Sequence, residues 1–395
     1  YRYMKLLHIS PSYYPAFYYG GPIYSTYDLA KAIKKQGVDI KVITTNANGN
    51  ERLQIKTGVF HILENELPVK YYKSLDSRGT SLSMLFNLSK EIKQADVVYL
   101  ISIFSPPTPF VIHLCKRFNK PLIISPRGQL GKWCLAQGSS FKKLWLDIFI
   151  KLNLNFLVWH TTAEAEEMEV KAIFPAAKTF VVPNGIDLSA FENIELKKNK
   201  LFYKKYCESV NEHSKIIISL GRLHSKKGFD ILIEAYKKIQ EQIKDAFLFI
   251  AGEDFGEESN LLNLISSNNL SEKAFLVGHI EGEEKINFLK NADVFALPSH
   301  NENFGMSVVE AMACECPVVI SNKVGIYKKV EENNAGVIVE TNPKSVEDGI
   351  LRLLEDKEYR NIIASNGKAM VEKYYDINKV AEQFINVYER IKIKG

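Results

Sequence analysis

Asp293-Val294-Phe295-Ala296-Leu297-Pro298-Ser299-His300-Asn301-Glu302-Asn303-Phe304-Gly305-Met306-Ser307-Val308-Val309-Glu310 changes its hydrophobic period halfway along, and that change decides the reading of the fold. The apolar run Asp293 to Pro298 reads as a buried strand, Phe304-Gly305 as a turn, and Met306 to Cys314 as a helix. Val308, Val309, Met312 and Ala313 recur at helical spacing. A helix start that points free N–H groups out of the end of a parallel strand is a ready anion site. Glu302 stands just before the turn. Glu310 lies eight positions on, about two helical turns, and is expected to face the same way. An ionised carboxylate only accepts hydrogen bonds, so two of them beside a phosphate-binding helix suit a polyhydroxylated ligand such as a ribose or a hexose. The other reading is two surface glutamates on an ordinary crossover helix, and this stretch alone does not choose.

Working outward, 395 residues suffice for two domains with full cores. With 46% hydrophobic and 25% charged residues the chain falls among soluble globular proteins. The net charge of +5 is spread out, with no basic tail. It makes no demand for nucleic acid, and none is expected as a partner; it suits anionic substrates or a negatively charged membrane face. Cys115, Cys134, Cys207, Cys314 and Cys316 share no paired spacing, and the last two are too close for a zinc pattern. Reduced structural thiols in a cytoplasmic protein are expected. No apolar run approaches the ~20 residues of a spanning helix and no signal peptide is visible. The expected location is cytoplasmic, with peripheral contact on the cytoplasmic face of the membrane as an extension.

Strands alternate with helices from the start. Lys5 to Ile9 reads as a strand, Pro22 to Gln36 as a helix ended by Gly37, and Val38 to Thr44 as the next strand. Val97 to Ile101 and Leu122 to Ser125 continue the series, with a helix near Pro109 to Phe118 between them. A second series holds strands at Lys215 to Leu220, Ala246 to Ile250, around Leu276, Val294 to Leu297 and Val318 to Ser321, and a helix at Phe229 to Gln242. Repetition of this kind means an α/β fold of parallel sheets with helices on both faces, and ligands at the carboxyl ends of the strands. A lysine-rich, motif-poor segment separates the two series. The expected domains are residues 1–190, residues 191–373, and a terminal helical segment, residues 374–395, that returns to brace the first domain.

The motifs lie where such a sheet needs them. Gly20-Gly21-Pro22 falls between the first strand and its helix, where glycine lets backbone approach a ligand and proline preorganises a first turn. It is not G-x-G-x-x-G, and no acid follows at the dinucleotide-ribose position. Tyr13, Tyr14, Phe17, Tyr18 and Tyr19 beside it either stack on a ligand or form a satellite core. Gly221-Arg222-Leu223-His224-Ser225-Lys226-Lys227-Gly228 follows the first strand of the second series. Arg222 offers a planar fork to phosphate oxygens and Lys227 a compact charge, so the loop suits a diphosphate; a plain solvated basic loop is the alternative. Arg127 sits in Ser125-Pro126-Arg127-Gly128 at another strand end, and Val182-Pro183-Asn184-Gly185 reads as a hinge turn. Thr161, Thr162 and Glu164 are read as capping a helix. Trp145, Ile148, Phe149, Leu152 and Phe156 form an apolar stripe after Lys142-Lys143, read as core in preference to a lipid-facing surface. The chain has no Asp-x-Asp pair and no His/Cys cluster at metal spacing, so no metal is expected. Arg222, Lys227 and the helix start at Phe304 to Ser307 would neutralise leaving-group charge instead.

Taken in order, these motifs resemble the retaining family 4 glycosyltransferases of the GT-B fold, in the subgroup acting on bacterial polysaccharide and lipopolysaccharide. The resemblance runs through Gly20-Gly21, Asn184-Gly185-Ile186-Asp187, Gly221-Arg222-Leu223 with Lys227-Gly228, Ala251-Gly252-Glu253, Pro298-Ser299 and the Glu302 to Glu310 element. It implies two Rossmann-like domains facing across a cleft, the second holding a nucleotide-diphosphate sugar and the first a glycan or polyprenyl lipid-linked acceptor, with no metal. By the same resemblance Glu310 would bind ribose hydroxyls, and Arg222 and Lys227 would grip the diphosphate. Phe304, Gly305, Met306 and Ser307 would offer backbone amides, and Glu302 would approach the sugar. Gly252 and His279 would lie near the base, and Gly20 and Gly21 near the phosphates. Arg127 stands where many members of the family carry a histidine; a guanidinium stays protonated, so it would stabilise charge or orient an acceptor hydroxyl, not act as a base. UDP is the expected nucleotide. A nucleotide-sugar 2-epimerase, or a non-catalytic protein binding nucleotide sugar or glycan, are the competing expectations.

Overall fold

The computed structural model describes residues 4–136, 139–191 and 198–394. The chain divides into two compact units, Tyr1–Ile186 with Asp376–Gly395, and Asp187–Tyr375. Part of the lysine-rich segment that marks the break in the sequence, residues 192–197, lies outside the described residues.

The first unit is built on eight strands: β1 (Lys5–Ile9), β2 (Asp39–Thr45), β3 (Phe60–Leu63), β4 (Leu67–Tyr72), β5 (Val97–Ile101), β6 (Leu122–Ser125), β7 (Leu157–Thr161) and β8 (Lys178–Val181). Their order is β8-β7-β6-β5-β1-β2-β4-β3, parallel throughout except for the β3–β4 edge pair. Alternation along each strand feeds two cores. Leu6 and Tyr99 enter one apolar cluster while Leu7, Val98 and Leu100 enter the other, as expected for a sheet covered on both faces. The helix Gly21–Lys35 covers one face together with the final helix, Ile377–Lys394. In that final helix Val380, Ala381, Phe384, Ile385 and Tyr388 recur at three- and four-residue spacing and are all buried with Tyr27 and Tyr99. The chain returns at the Asn184-Gly185 turn, where a Cβ on Gly185 would lie 2.8 Å from the Cα of Ile377.

The second unit carries β9 (Lys215–Leu220), β10 (Ala246–Ala251), β11 (Ala274–Gly278), β12 (Val294–Leu297), β13 (Val318–Ser321) and β14 (Val337–Val339), all parallel. The order β11-β10-β9-β12-β13-β14 is doubly wound. Strand order reverses between β9 and β12, and a crevice opens at the carboxyl ends of strands parted in this way. The buried strand and helix expected around residue 300 are β12 and Met306–Ala313.

Two stretches differ from the sequence reading. The apolar stripe over residues 145–156 does not form one continuous helix. Ser139–Trp145 passes into a π-helical turn, Leu146–Ile150, and then a 3-10 turn, Lys151–Asn153. The widened turn rotates the faces, so Leu146 and Ile150 enter the core while Ile148 is 44% and Leu152 77% exposed. At the helix Glu164–Ile173 the cap works in reverse. Ala163 is the cap residue with no side-chain bond, and Glu166 reaches back to accept from the amide of Thr162 at 2.6 Å and its hydroxyl at 2.9 Å.

Candidate active site

In the second unit the loops after β9 and β12 are tied to each other by backbone as well as by side chains. The carbonyl of Lys226 accepts from the amide of His300 at 2.8 Å. Gly228 has φ +69°, and a Cβ there would come within 2.2 Å of the Pro298 carbonyl oxygen, so no other residue fits without moving a loop. The loop after β10 joins them: a Cβ on Gly252 would lie 1.8 Å from the carbonyl oxygen of Gly221. Across this junction Lys227 Nζ donates to the Glu302 carboxylate. The lysine aliphatic chain lies over Gly221, where a Cβ would meet its Cε at 3.3 Å. Arg222 stacks its guanidinium 4.8 Å from the centroid of Phe255.

Glu302 is fixed from behind. Its backbone bridges Val324, its amide donates to Lys323 at 3.1 Å, and its carbonyl accepts from Gly325 at 2.8 Å. The carboxylate is 17% exposed and the Lys227 side chain 11%. Burial alone would raise the Glu302 carboxyl; Lys227, Lys226 and Arg222 outweigh it and hold the group below its ordinary value. One carboxylate against three cations leaves the crevice with positive charge for a polyanion. Three residues on, Gly305 in the left-handed region (φ 100°) opens the helix Met306–Ala313 with no side chain capping it. The first-turn amides of Met306 and Ser307 thus begin a helix that supplies no acceptor of its own. Phe304 is buried, edge-on to Tyr375 at 5.4 Å.

Arg222, Lys227, Gly252 and Glu302 therefore meet at the switch point. Glu310, on the helix Met306–Ala313 that the sequence reading also starts at Met306, pairs with Lys285 at 2.8 Å. His279 follows β11, with its side chain 58% exposed and its Nε2 3.7 Å from Glu281.

Arg127, Gly20 and Gly21 belong to the first unit. Gly20 (φ 71°) separates the turn Phe17–Tyr19 from its helix, and a Cβ on Gly21 would meet nothing within 4 Å. The aromatic loop divides: Tyr13 is fully buried and Tyr14 stacks on Tyr27 at 4.1 Å, while Phe17 and Tyr18 stand exposed. Arg127, at φ 52°, donates to Tyr99 Oη at 2.9 Å and to Asn184 Oδ1 at 2.5 Å. Behind it, His160 Nε2 lies 2.8 Å from the Val182 carbonyl, which can only accept, so Nδ1 is the free lone pair that takes the Tyr99 hydroxyl at 2.8 Å. His8 joins from the other side, its Nε2 3.1 Å from the hydroxyl of Tyr388. Burial and then the Arg127 charge hold both histidines neutral, His8 down to about 3 and His160 well below its ordinary value. The neighbouring Gly128 amide donates to Glu166 at 2.6 Å.

Tyr99, His160, Lys285 and Phe255 gave no signal in the sequence, because each meets its partner across a strand or helix boundary. Asn184, read as a hinge turn, turns out to hold Arg127. Among the described residues no group of three or more His, Cys, Asp and Glu side chains is placed to hold a metal ion, and no helix is long and apolar enough to cross a membrane.

Two family models match the chain. The one described as Glycosyltransferase Family 4 matches residues 19–190, and the one described as Glycosyl transferases group 1 matches residues 207–370. An uncharacterized glycosyltransferase of Methanocaldococcus jannaschii is 32% identical, over 58% of this chain and 59% of that protein. The capsular polysaccharide biosynthesis glycosyltransferase CapM of Staphylococcus aureus is 25% identical over 90% of this chain and 91% of its own. The N,N'-diacetylbacillosaminyl-diphospho-undecaprenol alpha-1,3-N-acetylgalactosaminyltransferase of Campylobacter jejuni is 26% identical over 78% and 81%. Among solved structures, HepE of Anabaena in complex with UDP matches with a TM-score of 0.74 at 18% identity, covering 98% of this chain and 100% of that one.

Proposed function

This chain is a glycosyltransferase of the GT-B fold, with a family 4 first unit and a group 1 second unit, and from that premise we propose its reaction. It moves a sugar, with retention of configuration and without a metal ion, from a nucleotide-diphosphate sugar to a glycan or lipid-linked glycan acceptor of a cell-surface polysaccharide. The observation that carries this reading is the Lys227–Glu302 pair at the switch point, flanked by Arg222 and by the uncapped helix start.

Each group has a role in that reaction. The bond between the anomeric carbon and the diphosphate oxygen breaks, and its electron pair goes to the leaving phosphate. Arg222, Lys227 and the Met306 and Ser307 amides take up that charge. Glu302, kept ionised by its cations, holds sugar hydroxyls and faces an oxocarbenium-like centre. The acceptor hydroxyl attacks from the same face and passes its proton to the departing phosphate oxygen, which needs no side-chain base. Arg127 stays charged and orients the acceptor. Glu310 keeps lone pairs beyond the one taken by Lys285, enough to accept from ribose hydroxyls. UDP is the favoured nucleotide, supported by the UDP held by HepE. A lipid-linked acceptor is supported by the undecaprenol-linked substrate in the name of the Campylobacter relative.

The test is transfer from a panel of nucleotide sugars to undecaprenyl-diphosphate-linked acceptors in the presence of EDTA, with the product's anomeric configuration read by NMR. Turnover that is unaffected by EDTA and retains configuration supports the reaction. An inverted product, a requirement for a divalent ion, or isomerised sugar without acceptor overturns it.

A further inference from the structure

We propose that a cavity at the amino edge of the second unit's sheet is a second anion site, built for a small phosphorylated molecule such as a sugar phosphate. The cavity has a volume of about 340 Å³. Asp293, immediately before β12, and Pro317, immediately before β13, line it. It therefore lies at the strand ends opposite those that carry Gly221, Gly252 and Glu302.

Charge makes the case. Lys198, Lys290, Lys357 and Arg360 line the cavity, against two acids, Asp293 and Glu315. Both acids are already neutralised by lysines outside the lining: Asp293 lies 2.7 Å from Lys200, and Glu315 lies 2.7 Å from Lys368. Asp293 also accepts from the amide of Ile216 at 2.9 Å. The cations meet only neutral groups. Lys198 donates to the Ala292 carbonyl, and Arg360 Nη1 to the carbonyls of Leu353 at 3.2 Å and Leu354 at 3.4 Å. Lys290 and Lys357 have no ion pair among the described residues. Like charges gathered around one hollow that opens to solvent repel each other, and a phosphate with two negative charges relieves that repulsion while accepting from several donors at once. Ser365 and Asn361 add neutral hydrogen-bonding groups to the wall, which suit the hydroxyls of a sugar. The volume is near the small end of ligand pockets, roughly 300–1,000 Å³, and favours a monosaccharide phosphate over a whole nucleotide sugar.

The same helix reaches both sites. Met306–Ala313 presents its first turn at the switch point, and Cys314 and Glu315 immediately after it border the cavity. The helix that carries Lys357 and Arg360 packs on it, closely enough that a Cβ on Gly367 would lie 3.1 Å from Met312 Cγ. A ligand that draws Lys357 and Arg360 together thus bears on the element that offers amides to the donor. Any coupling that results acts equally in both directions.

The test is calorimetric titration of the full chain, saturated with UDP, by glucose 6-phosphate, with inorganic phosphate and uncharged glucose in parallel. The expected result is one further equivalent of glucose 6-phosphate, competed by inorganic phosphate, and no binding of glucose. The double variant Lys290→Ala/Lys357→Ala should weaken that binding by about tenfold or more, with UDP affinity and far-UV circular dichroism as in the parent. Titration of Arg222→Ala/Lys227→Ala in the absence of UDP, a variant that removes two of the three switch-point cations, should still show the sugar phosphate bound. The proposal is overturned by absence of the further equivalent, by unchanged affinity in the Lys290/Lys357 variant, or by loss of binding in the Arg222/Lys227 variant. Failure of UDP itself to bind would count against the donor reading and leave the last titration decisive here.

Discussion

Tyr99 Oη accepts from Arg127 Nη2 at 2.9 Å and donates to His160 Nδ1 at 2.8 Å, so one phenol joins a guanidinium to an imidazole whose tautomer the Val182 carbonyl fixes. Tyr99→Phe takes the phenol oxygen from Arg127 Nη2 and leaves His160 Nδ1 with only Ser125 Oγ at 3.1 Å. The expected cost is about 2 kcal/mol in urea unfolding. If Arg127 orients the acceptor, KM for acceptor rises in this variant while KM for donor stays as in the parent. Equal changes in both would remove Arg127 from that role.

Acid should unfold this protein in a particular window. His8 takes up a proton near 6.5 when unfolded but only at about 3 in the fold, held down by burial and by Arg127. Between those values the unfolded chain binds more protons, so the stabilising contribution is complete above 6.5 and is lost as pH falls. By about pH 5 this one group costs about 2 kcal/mol, and His160 adds in the same direction. Urea midpoints measured across that range should fall with acid, and His8→Gln should flatten the slope. A midpoint that is flat in the parent would contradict the buried, neutral assignment.

Lys227 and Glu302 should behave as a unit. Lys227→Met leaves a carboxylate that is 17% exposed facing only the more distant cations, and Glu302→Gln leaves an ammonium that is 11% exposed. The double variant should be more stable than the sum of the single losses predicts, by about 1–2 kcal/mol. UDP affinity should fall in Lys227→Met by about tenfold or more, with a much smaller loss in Glu302→Gln.

Gly325→Ala tests the support behind Glu302. A Cβ at this position would lie 1.9 Å from the carbonyl oxygen of Asn303, so the loop must shift. A loss of at least about 2 kcal/mol is expected in thermal or chemical unfolding, with donor binding weakened as well. Normal stability and normal binding together would show that the loop tolerates displacement.

The expected contact with a membrane surface can be tested at the exposed residues after Ser139. Phe141 (64%), Leu144 (58%), Ile148 (44%) and Leu152 (77%) stand out of the first unit beside Lys143 and Lys151. Ile148→Ser with Leu152→Ser should reduce co-sedimentation with anionic vesicles severalfold while leaving the melting temperature within a degree or two, since neither side chain serves the core. Equal sedimentation of parent and variant would dismiss that surface.

The fold was legible wherever burial on both faces of a strand produced continuous apolar runs, as at Val294–Leu297 and Val318–Ser321, which match the reading residue for residue. It was not legible between Thr45 and Val97. There Phe60–Leu63 is a half-exposed antiparallel edge, and Leu67–Tyr72 carries a proline and a lysine among its apolar residues, so neither stands out from loop. The glycines and basic residues of the switch point could be read because strand ends demand them. Their partners could not: Lys285 is 25 residues from Glu310, Tyr99 is 28 from Arg127, and no local pattern encodes such meetings. The stripe after Trp145 misled because a single π-helical turn changes which side of a helix faces inward, and side-chain hydrophobicity does not announce it.

The helix Ile377–Lys394 has one more implication, for biosynthesis. On the ribosome, the first sheet emerges long before the residues that cover it, and Val380, Phe384 and Tyr388 arrive only after all of Asp187–Tyr375 has been made. The second unit can finish folding while the first still shows Tyr27 and Tyr99 bare. Completion of the earlier half thus waits on the codons of the helix Ile377–Lys394, and a nascent chain stalled short of them presents that greasy face to chaperones and proteases.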